Sequence, residues 1–266
     1  MRIAMKLLPA FVLGFVASLA HGQEIVMLQV RPGATQSYFL ARTPQNPQAV
    51  AVLLPGGGGN IRLRTEDGQI KFGPNNFVVR TRTEYVNRGV VASIVDAPSD
   101  QQSGMSDEFR QGEQHYTDIS AMVEDLKKRF PGVPVFLVGT SRGTVSAASL
   151  GKRMGKSVDG VVLTSTVFLP SSGRRSQPGL SGFDFSSIAA PLLFVHHVDD
   201  GCNVTPYYAA KRLAGRYPVV SVSGGQPPQS EPCEALSAHG YLGKENETVE
   251  AIVNWMLKQP YRSEIN

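Results

Sequence analysis

The stretch VFLVGTSRGT, residues 135–144, carries four apolar residues into Gly139, Thr140, Ser141, Arg142 and Gly143, and VSAASLGKRM follows at 145–154. An apolar run of this kind is a buried strand, and the small-residue segment behind it is a helix, so the chain must reverse sharply between them. A residue at such a turn is forced into strained backbone angles, and neighbours without side chains relieve the crowding. Gly139 and Gly143 supply that relief on either side of Ser141. The free N–H groups and dipole of the following helix then favour negative charge beside the serine.

Working outward, the same apolar, β-branched character recurs in AVAVLL at 49–54, VVASIV at 90–95, VVLTSTV at 161–167, PLLFVHH at 191–197 and VVSV at 219–222. Continuous apolar strands suit a sheet covered on both faces. Helical stripes lie between and after them. Ile119, Met122, Val123, Leu126 and Phe130 form one, and Val249, Ile252, Val253, Met256 and Leu257 form another. Alternation of strand and helix predicts an α/β fold, a three-layer sandwich with a mainly parallel central sheet and helices on both faces. EIVMLQV at 24–30 and SYFLA at 37–41 precede the first helix and predict an antiparallel hairpin at the sheet edge. The Ser-, Gly- and Pro-rich segment 170–189 reads either as a solvated loop or as a small lid.

Residues 1–22 have a charged start at Arg2 and Lys6, an apolar run from Leu7 to Ala20, and small residues at Ala20 and Gly22. That pattern predicts a signal peptide, and with it a secreted or periplasmic protein whose residues 23–266 form a single domain. The run is too short, and too interrupted by Pro9, for a membrane span, and no longer apolar run follows. Cleavage removes Arg2 and Lys6 and lowers the formal charge from +4 to +2. So weak a charge gives no case for a nucleic-acid partner. Cys202 and Cys233 are the only cysteines, and export to an oxidising compartment predicts a disulfide between them.

A serine hydroxyl is a poor nucleophile until a base, held by a third group, takes its proton. Asp199 and Asp200 follow the strand at 191–197, where functional groups of open α/β sheets gather. Of the histidines beyond the leader, His115 opens a helical pattern, and His196 and His197 close a strand. His239, in the loop SEPCEALSAHGYLG before the final helix, is the one placed to reach a serine.

With these residues in place, the chain resembles the α/β-hydrolase family over most of residues 24–258. Ser141, Asp200 and His239 follow that family's order of nucleophile, acid and histidine. The family's His-Gly-x-x-Asp pattern appears as His196-His197-Val198-Asp199-Asp200, with His197 in place of glycine, so Asp199 stands beside Asp200 as a second candidate acid. On the resemblance, the disulfide would tie the acid loop to the histidine loop. The family often carries His-Gly-Gly-Gly after an early strand to stabilise the oxyanion; here PGGGGN at 55–60 puts Pro55 where the histidine would stand. Matching the glycines makes the N–H of Gly57 the expected donor, with Gly58 next to it and the N–H of Arg142 as the second donor.

What the resemblance implies is a serine hydrolase that cleaves a carboxylic ester of a small acyl substrate through an acyl-enzyme. A peptidase or amidase with the same triad, and a non-catalytic binding protein on the same fold, are the competing readings. The glycine run is not a phosphate loop, because Asn60-Ile61 replaces the required Lys-Ser/Thr, and it lacks the third glycine of a dinucleotide fingerprint. No cofactor and no metal are expected, since the histidines and cysteines lack ligand spacing. Acids and Arg110 within 95–111 are expected near the same end of the sheet, without assigned roles.

Overall fold

A computed structural model describes residues 22–73, 76–172 and 176–266. All but Gly22 of the expected signal peptide therefore lies outside the described residues, as do residues 173–175 of the segment at 170–189.

The strands are β1 (Glu24–Arg31), β2 (Ala34–Leu40), β3 (Ala49–Leu54), β4 (Arg64–Glu66), β5 (Gln69–Lys71), β6 (Val90–Val95), β7 (Val135–Thr140), β8 (Gly160–Thr164), β9 (Leu192–His197), β10 (Val219–Val222) and β11 (Glu264–Ile265). Helices are α1 (Phe77–Arg80), α2 (Arg82–Asn87), α3 (Asp107–Gln111), α4 (Glu113–Arg129), α5 (Gly143–Met154), α6 (Tyr207–Lys211) and α7 (Glu245–Met256). Nine strands form one sheet in the order β1-β2-β6-β3-β7-β8-β9-β10-β11. From β6 to β11 every neighbouring pair is parallel, and the β1-β2 hairpin adds antiparallel to β6 at the edge, as its sequence predicted.

Because successive side chains of a strand point to opposite faces, the continuous apolar strands feed two cores. Val50, Val52, Leu54, Val135 and Leu137 pack with Ile119, Met122 and Leu126 of α4 and Val145 and Leu150 of α5. Ala51, Leu53, Phe136 and Val138 pack on the other side, with Phe77 of α1 and with Val249, Ile252 and Val253 of α7. This is the three-layer α/β arrangement read from the alternation. Three features differ in detail from the sequence reading. The strand at 161–167 stops at Thr164, because Ser165 turns to φ 47°. A small hairpin, β4-β5, turns at Asp67-Gly68 with φ of 52° and 72°, the positive pair that a tight two-residue turn demands. The two-residue β11 extends the far edge of the sheet beyond β10.

In 170–189, Leu180 and Ile188 are buried in the α4-α5 core, and Phe183 and Phe185 pack partly against it. These described parts are thus anchored rather than solvated along their length. The three-residue turn Phe185–Ser187 is capped by Asp184, whose carboxylate accepts from the Ser186 N–H at 2.9 Å.

Candidate functional site

Ser141 stands between β7 and α5 with φ 51°, and its N–H donates 3.0 Å to the carbonyl of Thr164 in the neighbouring strand. Its own carbonyl accepts from the N–H and the hydroxyl of Thr144, which closes the first turn of the helix. The strain therefore falls on the serine itself. Neither flanking glycine has positive φ; they are required for space. A Cβ on Gly139 would lie 2.4 Å from the Gly143 carbonyl oxygen, and one on Gly143 would lie 2.0 Å from the Leu54 carbonyl oxygen. A Cβ on Gly56 would meet the Ser141 Cβ at 2.8 Å, so the glycine-rich loop presses directly on the serine.

Beyond β9, the side chain of Asp200 is fully buried and accepts on both oxygens: Oδ1 from the Cys202 N–H at 3.0 Å, and Oδ2 from the Thr205 hydroxyl at 2.8 Å. His239 Nδ1 lies 3.0 Å from Asp200 Oδ2 and 3.2 Å from Thr205 Oγ1. Because a carboxylate only accepts, Nδ1 carries the proton and Nε2 is left with its lone pair. That Nε2 is buried and has no hydrogen-bond partner among the described residues. Asp199, by contrast, is exposed and offers only its backbone N–H, to His197 Nδ1. Of the two adjacent acids, the fold brings Asp200 to the histidine.

Several contacts fix the loop that carries His239. Its carbonyl accepts from the Ser165 hydroxyl at 2.8 Å, and the Tyr241 hydroxyl joins the Ser165 N–H to the Val195 carbonyl. Tyr241 takes φ 61°, and a Cβ on Gly240 would fall 1.9 Å from the Ala235 carbonyl oxygen. Cys202 and Cys233 are joined by a disulfide that links this loop to the segment just after Asp200. Ser165, Thr205 and Tyr241 escaped the sequence reading, since each matters only through partners far away along the chain.

A cavity of about 360 Å³ is lined by Ser141, Arg142 and His239 on one side and by Gly56, Gly57 and Gly58 on another. Ser141 and His239 face the same cavity, and no hydrogen bond joins them directly. The N–H groups of Gly57 and Arg142 have no acceptor among the described residues. Gly56 and Gly59 close a turn through a 3.0 Å hydrogen bond, with Gly57 at φ 57°.

Beneath that turn lies Arg110, fully buried, donating to the Gly57 carbonyl at 3.0 Å and to the Ser146 hydroxyl at 2.9 Å. Burial pulls its guanidinium down to about 10, which leaves it protonated at neutral pH. Asp96 receives the N–H groups of Ile61 and Leu63, at 2.7 and 2.9 Å, and that of Ala97, fixing the far end of the loop. Its carboxyl is raised by burial against the opposing pull of these donors.

His115 and His196 are structural. His115 is fully buried against Phe109 and its ring nitrogens have no partner among the described residues. His196 stacks on Phe168 and accepts the Thr166 N–H at 2.8 Å. Burial holds both well below the usual imidazole range, at about 3. Among the described residues, no three His, Cys, Asp or Glu side chains gather as a metal site would require.

A family model described as serine aminopeptidase, S33, matches residues 97–207, a span that includes Ser141 and Asp200. No curated protein matches the chain. Among solved structures, Est1E from Butyrivibrio proteoclasticus superposes with a TM-score of 0.60 at 16% identity, over 90% of this chain and 99% of its own. The same protein with ferulic acid bound gives 0.61 at 15% identity, over 88% and 98%. A serine hydrolase without a lid from Xanthomonas campestris gives 0.56 at 14% identity, over 86% and 94%. The chain has the α/β-hydrolase fold, with the mostly parallel sheet that the resemblance implied.

Proposed function

We propose that this protein is an exported serine hydrolase that cleaves carboxylic esters, with Ser141 as nucleophile, His239 as general base and acid, and Asp200 as the group that orients the imidazole. The observation that carries the reading is the Nε2 of His239, without a partner among the described residues, on a ring set by the Asp200 contact at Nδ1 and lining the same cavity as Ser141. Ser141 Oγ attacks the ester carbonyl as Nε2 takes its proton; the alkoxide oxygen that forms accepts from the N–H groups of Gly57 and Arg142. His239 then returns the proton to the leaving alcohol, and water, activated by the same nitrogen, splits the acyl-enzyme. Each oxyanion donor is worth about 3 kcal/mol in the transition state. The 1–22 leader pattern and the disulfide both fit a secreted or periplasmic location. An amidase or peptidase on the same machinery is the second reading, favoured by the aminopeptidase description of the matching family model.

Short-chain p-nitrophenyl esters and the matching p-nitroanilides separate the two. Turnover of esters, lost by about 10³-fold or more in Ser141→Ala and His239→Ala, is expected. Asp200→Asn should reduce kcat far more than Asp199→Asn. Ester turnover that survives Ser141→Ala would overturn the proposal, and preferred cleavage of anilides would replace it with the second reading.

A further inference from the structure

Resting on the ester-hydrolase reading, a second property follows from the charges behind the cavity wall. Asp107, whose side chain is fully buried, accepts from the Arg142 guanidinium on one oxygen and from the Gly179 N–H, at 2.8 Å, on the other. Arg110 lies close enough to feel both charges, yet its hydrogen-bond partners, the Gly57 carbonyl and the Ser146 hydroxyl, are neutral. Its Nε is buried without a partner among the described residues. One carboxylate, paired with Arg142 alone, thus stands near two guanidiniums, and among the described residues the wall keeps a surplus of one positive charge.

That surplus is open to substrate through Arg142. Its side chain is 23% exposed and lines the cavity one residue after Ser141. Asp107 holds Nη1 and Ser171 Oγ holds Nη2 at 3.3 Å, which leaves Nε–H and one hydrogen on each Nη of the five-donor fork unused among the described residues. The other carboxylates nearby do not cancel it. Asp200 is fully buried against His239 and does not line the cavity, and Glu234, which does, is exposed and screened by solvent.

We infer that Arg142 receives an ionised carboxylate of the substrate, so that the enzyme prefers esters carrying a second, free carboxylate: half-esters of dicarboxylic acids over neutral esters of the same length. A guanidinium held by a buried carboxylate is pre-oriented for bidentate pairing, and the low dielectric around Arg110 strengthens the attraction.

The test compares monoethyl glutarate with ethyl pentanoate, in which a methyl group replaces the carboxylate, by following ethanol release from the whole protein. Wild type should show a kcat/KM at least about 10-fold higher for the half-ester, expressed in KM and shrinking as salt rises from low to about 0.5 M. Arg142→Met should bring the ratio of the two esters close to one, and Arg142→Lys should recover part of it. Because the ratio cancels losses common to both esters, a purely structural role for the side chain would leave it unchanged. Should Arg142→Met fail to fold, the wild-type ratio and its salt dependence decide. A wild-type protein that cleaves ethyl pentanoate as well as the half-ester, or a ratio indifferent to salt, overturns the inference and leaves the ester reading intact. If neither ester is cleaved and no p-nitrophenyl ester is either, the ester reading falls and takes the inference with it.

Discussion

Replacing Gly143 by alanine tests how the turn at Ser141 is built. The added Cβ would lie 2.0 Å from the carbonyl oxygen of Leu54, 2.8 Å from its carbonyl carbon and 2.9 Å from the Pro55 carbonyl oxygen. All three are backbone atoms where the central strand β3 passes into the glycine-rich loop, so no rotamer change relieves the clash. Either α5 or the end of β3 must move by about 1 Å. Overpacking of this kind costs 1–3 kcal/mol and occasionally more; with backbone on both sides, about 3 kcal/mol is expected. The gain of alanine over glycine in a helix, about 1 kcal/mol at most, offsets only part of it. For a domain of this size, a net loss of 2 to 3 kcal/mol lowers Tm by about 4–12 °C. The same displacement separates Ser141 from the Gly57 N–H, and a misplacement of about 1 Å can reduce turnover about 10²-fold. Thermal and urea denaturation, run beside ester hydrolysis, measure both effects. Gly132→Ala is the control: its φ is 77° but no atom lies within 4 Å of the new Cβ. It should cost only about 1 kcal/mol of backbone strain and leave kcat intact. A Gly143→Ala protein that melts within about 2 °C of wild type and turns over normally would refute this account of the turn.

Other outcomes follow from the same contacts. Replacing both cysteines by serine opens a loop whose ends are 31 residues apart, and unfolding should become easier by about 3 to 4 kcal/mol on the chain-entropy model, checked by urea titration. A loss under about 1 kcal/mol would contradict it. Thr205→Val removes a hydroxyl that touches both Asp200 and His239, so kcat should fall about 10-fold with little change in KM; an equal rise in KM would assign Thr205 to substrate binding instead. His115 has a pKa of about 3 when folded, against 6.5 for the free side chain. The unfolded chain therefore binds the proton first, and the stability from the neutral buried ring is complete above pH 6.5 and declines as pH falls toward 3. The slope is up to about 1.4 kcal/mol per pH unit. His115→Leu should flatten the acid side of the urea-midpoint profile by about that amount and cost little at pH 8, since the ring nitrogens have no partner among the described residues to lose. An unchanged acid slope would refute this reading.

The sheet was legible because AVAVLL and VFLV are apolar at every position, and VVASIV at all but Ser93, a pattern that suits burial on both faces. The turn at Ser141 was legible for a related reason: small residues at fixed offsets report where backbones approach. Spacing favoured Asp200 over Asp199 without removing the neighbour from contention. Adjacent residues on a strand exit point in different directions, and the choice rests on Thr205 and the Cys202 N–H, which hold Asp200 inward. Arg110 and Asp107 were visible only as charges in a polar stretch. Their roles depend on pairing across α3, the glycine loop and the segment near Gly179, separations that no local pattern encodes. The hairpin at Asp67-Gly68 went unread, because strands of three residues are too short for periodicity to detect. Two-residue β11 carries less signal still.

The central claim is that Ser141 is an activated nucleophile, and covalent capture tests it without any assumption about substrate. The folded protein is incubated with a fluorophosphonate, digested, and the modified peptide is sequenced by mass spectrometry. The account expects a single adduct on Ser141, absent in Ser141→Ala and formed much more slowly in His239→Ala. Folded protein that takes up no label, or label that persists on another residue when Ser141 is replaced, would contradict it.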